Sequence, residues 1–158
     1  MSDHLRLSYM DKDRLPKGEW TDEHDLELWT DEHTGYRCLA VRTTMGTLCG
    51  YVEVPSDHPW HDISYSDCLN DPPCGDGWCS HGPDSKVEVH GGLTFAGDRD
   101  YVVGSGWWFG FDCAHAWDLS PRMLADGYGS YGDQTYRNMG YVRVECKRLA
   151  QQLAEVTA

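Results

Sequence analysis

An α+β fold is predicted by three features of the 158-residue sequence. Several short runs alternate apolar and polar residues with the two-residue period of half-buried strands. Glycine-marked turns separate them, and one apolar stripe at three- and four-residue intervals closes the chain. A length of 158 residues suits one domain, and 40% hydrophobic with 12% aromatic content supplies enough apolar surface to offset the ordering entropy. The expected architecture is a single domain over 1–158, an antiparallel sheet packed by a C-terminal helix, with a long Cys-rich loop.

Residues 1–20 mix charge with Pro16 and Gly18, show no period, and are read as an irregular arm. A short repeat follows, Trp20-Thr-Asp-Glu-His24 and Trp29-Thr-Asp-Glu-His33. His24 and His33 with their carboxylates could hold a divalent cation, or the likeness is chance within an acidic surface hairpin. Leu26 and Leu28 alternate with acidic residues, Leu39 and Val41 lie in a strand-like run from Tyr36 to Thr44, and Val52 and Val54 flank Glu53 in Leu48–Val54. His33-Thr34-Gly35 and Met45-Gly46-Thr47 supply the turns of this meander. From 55 to 84 the pattern gives way to Pro, Gly, Asp, Ser, Cys and His, and a loop of about thirty residues in a compact domain is functional, metal-organised or mobile. Val87–His90, Leu93–Phe95 and Gly106–Phe111 read as central strands. In the last, Trp107, Phe109 and Phe111 share one face and Trp108, Gly110 and Asp112 the other. Asp118-Leu119-Ser120-Pro121 resembles a helix start, with Asp118 or Ser120 as cap and proline in the first turn. Tyr128–Asp133 is a glycine-rich loop. The final helix is expected over 136–156, with Val142, Cys146, Leu149, Leu153 and Val156 on one face and Thr135 or Asp133 near its start.

A formal charge of −13 argues against direct contact with phosphate backbones. It suits solubility, or a carboxylate-covered surface seated in the basic groove of a host or phage protein. Trp60, Trp78 and Trp117 are the candidate exposed anchors of such a contact. No apolar run reaches the roughly 20 residues of a membrane span, and the first residues lack a signal-peptide apolar region, so a cytoplasmic protein is expected. The seven cysteines are an odd number, which in a reducing compartment favours metal binding or free thiols. Cys38, Cys49 and Cys146 fall in strand or helix patterns and read as small buried hydrophobes.

Cys68-x5-Cys74-x4-Cys79-x-His81 gathers three soft thiols and an imidazole in a loop with no core of its own. Tetrahedral zinc would organise it, and four protein ligands would leave no open position for catalysis. Reduced cysteines, or a disulfide, are the alternatives. His58 and His61, within Asp57-His58-Pro59-Trp60-His61-Asp62, could add ligands or sit in a packed turn.

His90, Asp112, Cys113, His115 and Asp118 form the second constellation. If the strands ending at His90 and Asp112 lie side by side, their side chains meet at one sheet edge, with the amides of Gly91 and Gly92 open to an anion or a carbonyl oxygen. His90, His115 and Asp112 could then hold a metal with an activated water. Alternatively Cys113 is a nucleophile with His90 or His115 as its base. Against both stands a packing role, in which Asp112 caps a turn, Cys113 is buried and His115 bonds a buried carbonyl.

His90-Gly-Gly-Leu-Thr-Phe95 and Trp107-Trp-Phe-Gly-Phe-Asp-Cys-Ala-His-Ala116, preceded by Gly50-Tyr-Val-Glu-Val-Pro55, resemble a group of small uncharacterised proteins encoded by phages and prophages of actinobacteria. The resemblance spans Leu48 to Asp118 and leaves out the N-terminal arm and the cysteine loop. It implies a phage-type accessory protein of the bacterial host cytoplasm and implies no catalytic residues. The expected role is binding of a host or phage protein through an acidic, aromatic-rich surface. A small metal- or thiol-dependent hydrolase acting on a small-molecule substrate is the competing expectation, and a structural part of a virion a third.

Overall fold

The computed structural model describes residues 4–75, 77, 79–99, 104–128 and 132–157, with 104 and 105 described by backbone alone. Its strands are β1 (Leu5–Leu7), β2 (Leu26–Thr30), β3 (Arg37–Arg42), β4 (Leu48–Val54), β5 (Phe95–Arg99) and β6 (Gly104–Asp112). They form one antiparallel sheet in the order β1-β2-β3-β4-β6-β5. Two α-helices follow, α1 (Pro121–Ala125) and α2 (Met139–Ala154). The α+β reading, with an antiparallel sheet under a C-terminal helix, is what the chain adopts.

Alternation along the strands sorts the core into two faces. Cys38, Ala40, Leu48, Val52, Val54, Phe109 and Phe111 face α2, whose Met139, Val142, Cys146, Leu149 and Leu153 are buried against them. Each such aliphatic or aromatic side chain contributes about 1.5–3 kcal/mol through burial. Gly50 lets the helix come this close, because a Cβ there would stand 2.4 Å from the Phe111 ring and 2.9 Å from Cys146 Sγ. The opposite face buries Leu26, Leu39, Tyr51 and Trp108. Guanidinium groups roof part of it, Arg99 at 4.3 Å over Tyr51 and Arg37 at 5.3 Å over Trp108. Trp108 thus lies opposite Phe109 and Phe111, as the period-two pattern requires.

Four expectations are corrected. The arm over 1–20 is not wholly irregular: Leu5–Leu7 adds β1 to the sheet edge, and short 3-10 turns occupy Lys12–Arg14 and Glu19–Asp22. Val87–His90 is not a strand, since β4 and β5 already fill both sides of β6. It runs extended beside α2, with Val87 and Val89 buried. Helix side chains satisfy its backbone: Glu88 N donates to Gln152 Oε1 at 2.7 Å, His90 N to Glu145 Oε1 at 2.8 Å, and Arg148 and Gln152 donate to Glu88 O. The Leu93–Phe95 run begins β5 only at Phe95, and β5 is an edge strand. The C-terminal helix spans Met139–Ala154, with Asn138 as cap accepting from Tyr141 N at 2.8 Å, in place of Thr135 or Asp133. Thr135 instead bridges to Asp118. Ser120 caps α1 through Met123 N.

The repeated Trp-Thr-Asp-Glu-His copies take different structures, the first in a 3-10 turn and the second across the end of β2 and its turn. Positions 129–131 of the glycine-rich loop lie outside the described residues. Among those described, no helix is long and apolar enough to cross a membrane.

Candidate functional site

The 55–84 loop has two halves. The first is packed: His58 Nε2 donates to Leu153 O at 2.7 Å in the last turn of α2, and His58 Nδ1 accepts from Trp60 N at 2.9 Å. Trp60 is buried, its ring edge-on to Phe109 with centroids 6.0 Å apart. Trp60 is therefore a core residue and not an exposed anchor, because the turn it occupies folds inward over the sheet. His61 pairs with Asp62, Nδ1 to Oδ2 at 3.2 Å, and its ring lies tilted against Trp107 with centroids 6.2 Å apart.

The second half turns outward and is closed at its base by Leu69 N donating to His81 O at 2.9 Å. Within it one ligand atom from each of Cys68, Cys74, Cys79 and His81 lies within 4.8 Å of all the others. Cys74 Sγ stands 3.2 Å from His81 Nδ1, and Cys74 N donates to Cys68 Sγ at 3.4 Å. That amide, with the backbone amide of Asn70, draws the Cys68 thiol down to about 6, while sharing a proton with Cys68 pushes the Cys74 thiol up. All seven cysteines are free thiols. The four side chains, all at least partly accessible to solvent, can hold a metal ion.

The second cluster forms where the His90-Gly91 turn meets the segment after β6. Asp118, with a fully buried side chain, is its centre. Its Oδ2 accepts from His90 Nε2 at 2.9 Å, from His115 Nδ1 at 3.0 Å and from His115 N at 3.0 Å, and its Oδ1 from Arg137 Nε at 2.9 Å. Tyr141 Oη lies 2.8 Å from His90 Nδ1, and the His115 ring stacks on Trp117 at 4.8 Å and 7°. Burial raises the Asp118 carboxyl, but the bonds from His90, the His115 amide, Arg137 and the His115 ring outweigh it and leave it below its ordinary value. Gly91 has φ of +67°, and a Cβ there would stand 2.1 Å from the His115 ring. Only glycine fits both the turn and the histidine.

His90 and His115 therefore meet, as the sequence reading required, but the carboxylate between them is Asp118. Asp112 turns away, accepting from Thr94 Oγ1 at 2.9 Å and Ala114 N at 3.1 Å, and stands 3.9 Å from His115 Nδ1. Cys113 points into the helix-facing core. Burial, reinforced by the Asp118 charge, drives its thiol far above the usual range, which disfavours the thiolate that nucleophilic attack needs. Both ring nitrogens of His90 are also committed to Tyr141 and Asp118. The Gly92 amide donates to Val89 O at 2.8 Å, so it is not open to an anion. Of the proposed anchors, Trp117 is exposed, at 51%, and Trp78 lies outside the described residues.

Sequence reasoning missed Arg137 and Tyr141, whose four-residue spacing is the one signal that they share a side of the α2 entry. It also missed a buried ion network. Arg42, with no exposed side-chain surface, spends all five N–H groups: Nε on Asp25 at 2.8 Å, NH1 on Gly46 O and Tyr136 Oη, NH2 on Glu23 and His24 O. Asp25 in turn accepts from Tyr9 N and Met10 N, each at 2.8 Å, which fastens the N-terminal arm. No family model, no curated protein and no solved structure matches this chain.

Proposed function

We propose that the chain is a zinc-stabilised, phage-type accessory protein that binds a basic segment of a host or phage protein in the host cytoplasm. The observation that carries this reading is the convergence of Cys68, Cys74, Cys79 and His81 in an outward-facing loop. Three thiols and an imidazole are the donor set that tetrahedral zinc prefers, and zinc so held supplies folding energy to a loop that lacks hydrophobic stabilisation. With four protein ligands the metal has a structural part, so the loop serves as a shaped surface. Seven free thiols fit a reducing compartment.

A cleft of about 580 Å³ beside the start of this loop gives the surface its chemistry. Glu53, Asp62, Asp98, His61 and Trp107 line it, which suits a Lys or Arg side chain held by carboxylates against an indole. Arg37 already neutralises part of Glu53 through bonds of 3.0 and 2.7 Å, leaving Asp62 and Asp98 as the main attractants. Titration with a fluorescent Lys/Arg-rich peptide tests the reading. Binding is expected to weaken with salt and to fall at least about tenfold in Asp62→Asn/Asp98→Asn and after zinc removal. Binding by the zinc-free chain and by the double variant as tight as that of the zinc-loaded parent would contradict it.

A further inference from the structure

We propose that His90 Nε2, His115 Nδ1 and Asp118 Oδ2 bind a divalent transition-metal ion, at a site separate from the cysteine loop. The three ligand atoms lie within 4.8 Å of one another. The two nitrogen-to-oxygen separations, 2.9 and 3.0 Å, equal the edge of a coordination octahedron, which for bonds of about 2.1 Å is about 3.0 Å. An ion can therefore take the place of the two shared protons with little movement of the side chains.

The surroundings are those of a ligand set held from outside. Tyr141 Oη sits 2.8 Å from His90 Nδ1, and a phenol hydroxyl either donates or accepts. When Nε2 is taken by the ion, the His90 proton moves to Nδ1 and donates to Tyr141; without the ion, the same hydroxyl donates to Nδ1. His115 likewise shifts its proton from Nδ1 to Nε2. Arg137 Nε occupies Asp118 Oδ1 at 2.9 Å, which leaves Oδ2 as a single-oxygen ligand. Orientation of first ligands by such partners is the usual arrangement around protein-bound metals.

Access is one-sided. The His90 and Asp118 side chains are 5% and 0% exposed, whereas His115 is 20% exposed and stacks on the exposed Trp117. The remaining coordination positions therefore open beside His115, where water or an oxygen donor of a small ligand completes the shell. Two imidazoles and one carboxylate select zinc, iron(II), cobalt(II) or nickel(II) over magnesium and calcium, which prefer oxygen alone.

Cobalt(II) added to the reduced full-length chain, after the cysteine loop has been saturated with zinc, tests the assignment. One further equivalent of cobalt is expected to bind, with d–d absorption and no sulfur charge-transfer band. His115→Ala, at the rim and therefore compatible with folding, should weaken this uptake by more than about 100-fold, and Tyr141→Phe by about 10-fold or more. Cys74→Ser should keep it, which separates this site from the loop. Circular dichroism of each variant verifies the fold. No uptake beyond the zinc-loaded loop, or undiminished uptake in folded His115→Ala, would overturn the assignment and leave a hydrogen-bonded cluster only.

Discussion

His90 Nε2 and His115 Nδ1 meet on one oxygen of Asp118, at 2.9 and 3.0 Å, and so join the turn after the Val87–Val89 segment to the chain leaving β6. Asp118→Asn removes the charge while preserving the shape, and an amide nitrogen placed at Oδ2 repels both imidazole donors. Loss of a buried hydrogen-bonded charge costs about 3–5 kcal/mol. Urea unfolding should place Asp118→Asn in that range and Asp112→Asn, on a half-exposed carboxylate, within about 1 kcal/mol of the parent.

Acid sensitivity follows from the same kind of contact. Asp25, Glu27 and Asp118 are each raised by burial, then lowered further by their hydrogen bonds and ion pairs, ending below ordinary values of 3.8, 4.5 and 3.8. A folded carboxyl that is harder to protonate than the unfolded one contributes stability that is fully present above the unfolded value. That stability is lost as pH falls through the folded value. Unfolding free energy should be level in these groups above about pH 5 and decline below about pH 4. Asp25→Asn should reduce the steepness of that decline in a pH series of urea melts.

Arg42 carries a third prediction, because its guanidinium is buried and every N–H is used. Arg42→Met removes the guanidinium bonded to the buried Asp25 carboxylate at 2.8 Å and leaves it to Lys12 Nζ at 3.1 Å and the amides of Tyr9 and Met10, at a cost of about 3 kcal/mol. Asp25→Asn in the same chain removes the charge that Arg42 faced, so the double variant should be less destabilised than the sum of the two single ones. A double-mutant cycle by thermal melting measures the difference; strict additivity would contradict the network.

Gly91→Ala places a Cβ 2.1 Å from the His115 ring in a backbone with φ of +67°. Strain and displacement together should cost about 1–3 kcal/mol. Gly92→Ala, with a similar φ of +83° and open space around the added atom, should cost only the strain, about 1 kcal/mol. Paired urea melts distinguish the two.

What the sequence disclosed depended on how local each signal was. β2, β3, β4 and the α2 stripe were legible because period two and period 3.6 are written in neighbouring residues. The convergence of Cys68, Cys74, Cys79 and His81 was legible because three cysteines and a histidine close in sequence, with no apolar framework, are drawn to one point of a loop. Val87–His90 carried the strand period without a strand, since alternation reports an extended chain on a core and not the ladder beside it. Asp112 and Asp118 each lie three residues from His115, and only the turn geometry decides which carboxylate faces inward. Trp60 and Trp117 look alike in sequence, yet one packs on Phe109 and the other stacks on His115 in solvent, a difference made by distant contacts. A three-residue strand such as β1 is too short to carry a period at all.

Cobalt(II) absorption of the reduced chain tests the Cys68, Cys74, Cys79 and His81 assignment most directly. The expected spectrum has strong thiolate-to-cobalt charge transfer and the intense d–d bands of a tetrahedral site, both abolished by zinc and both lost in Cys74→Ser. A chain that takes up cobalt without any sulfur charge transfer, or takes up none, would contradict a metal-ordered loop.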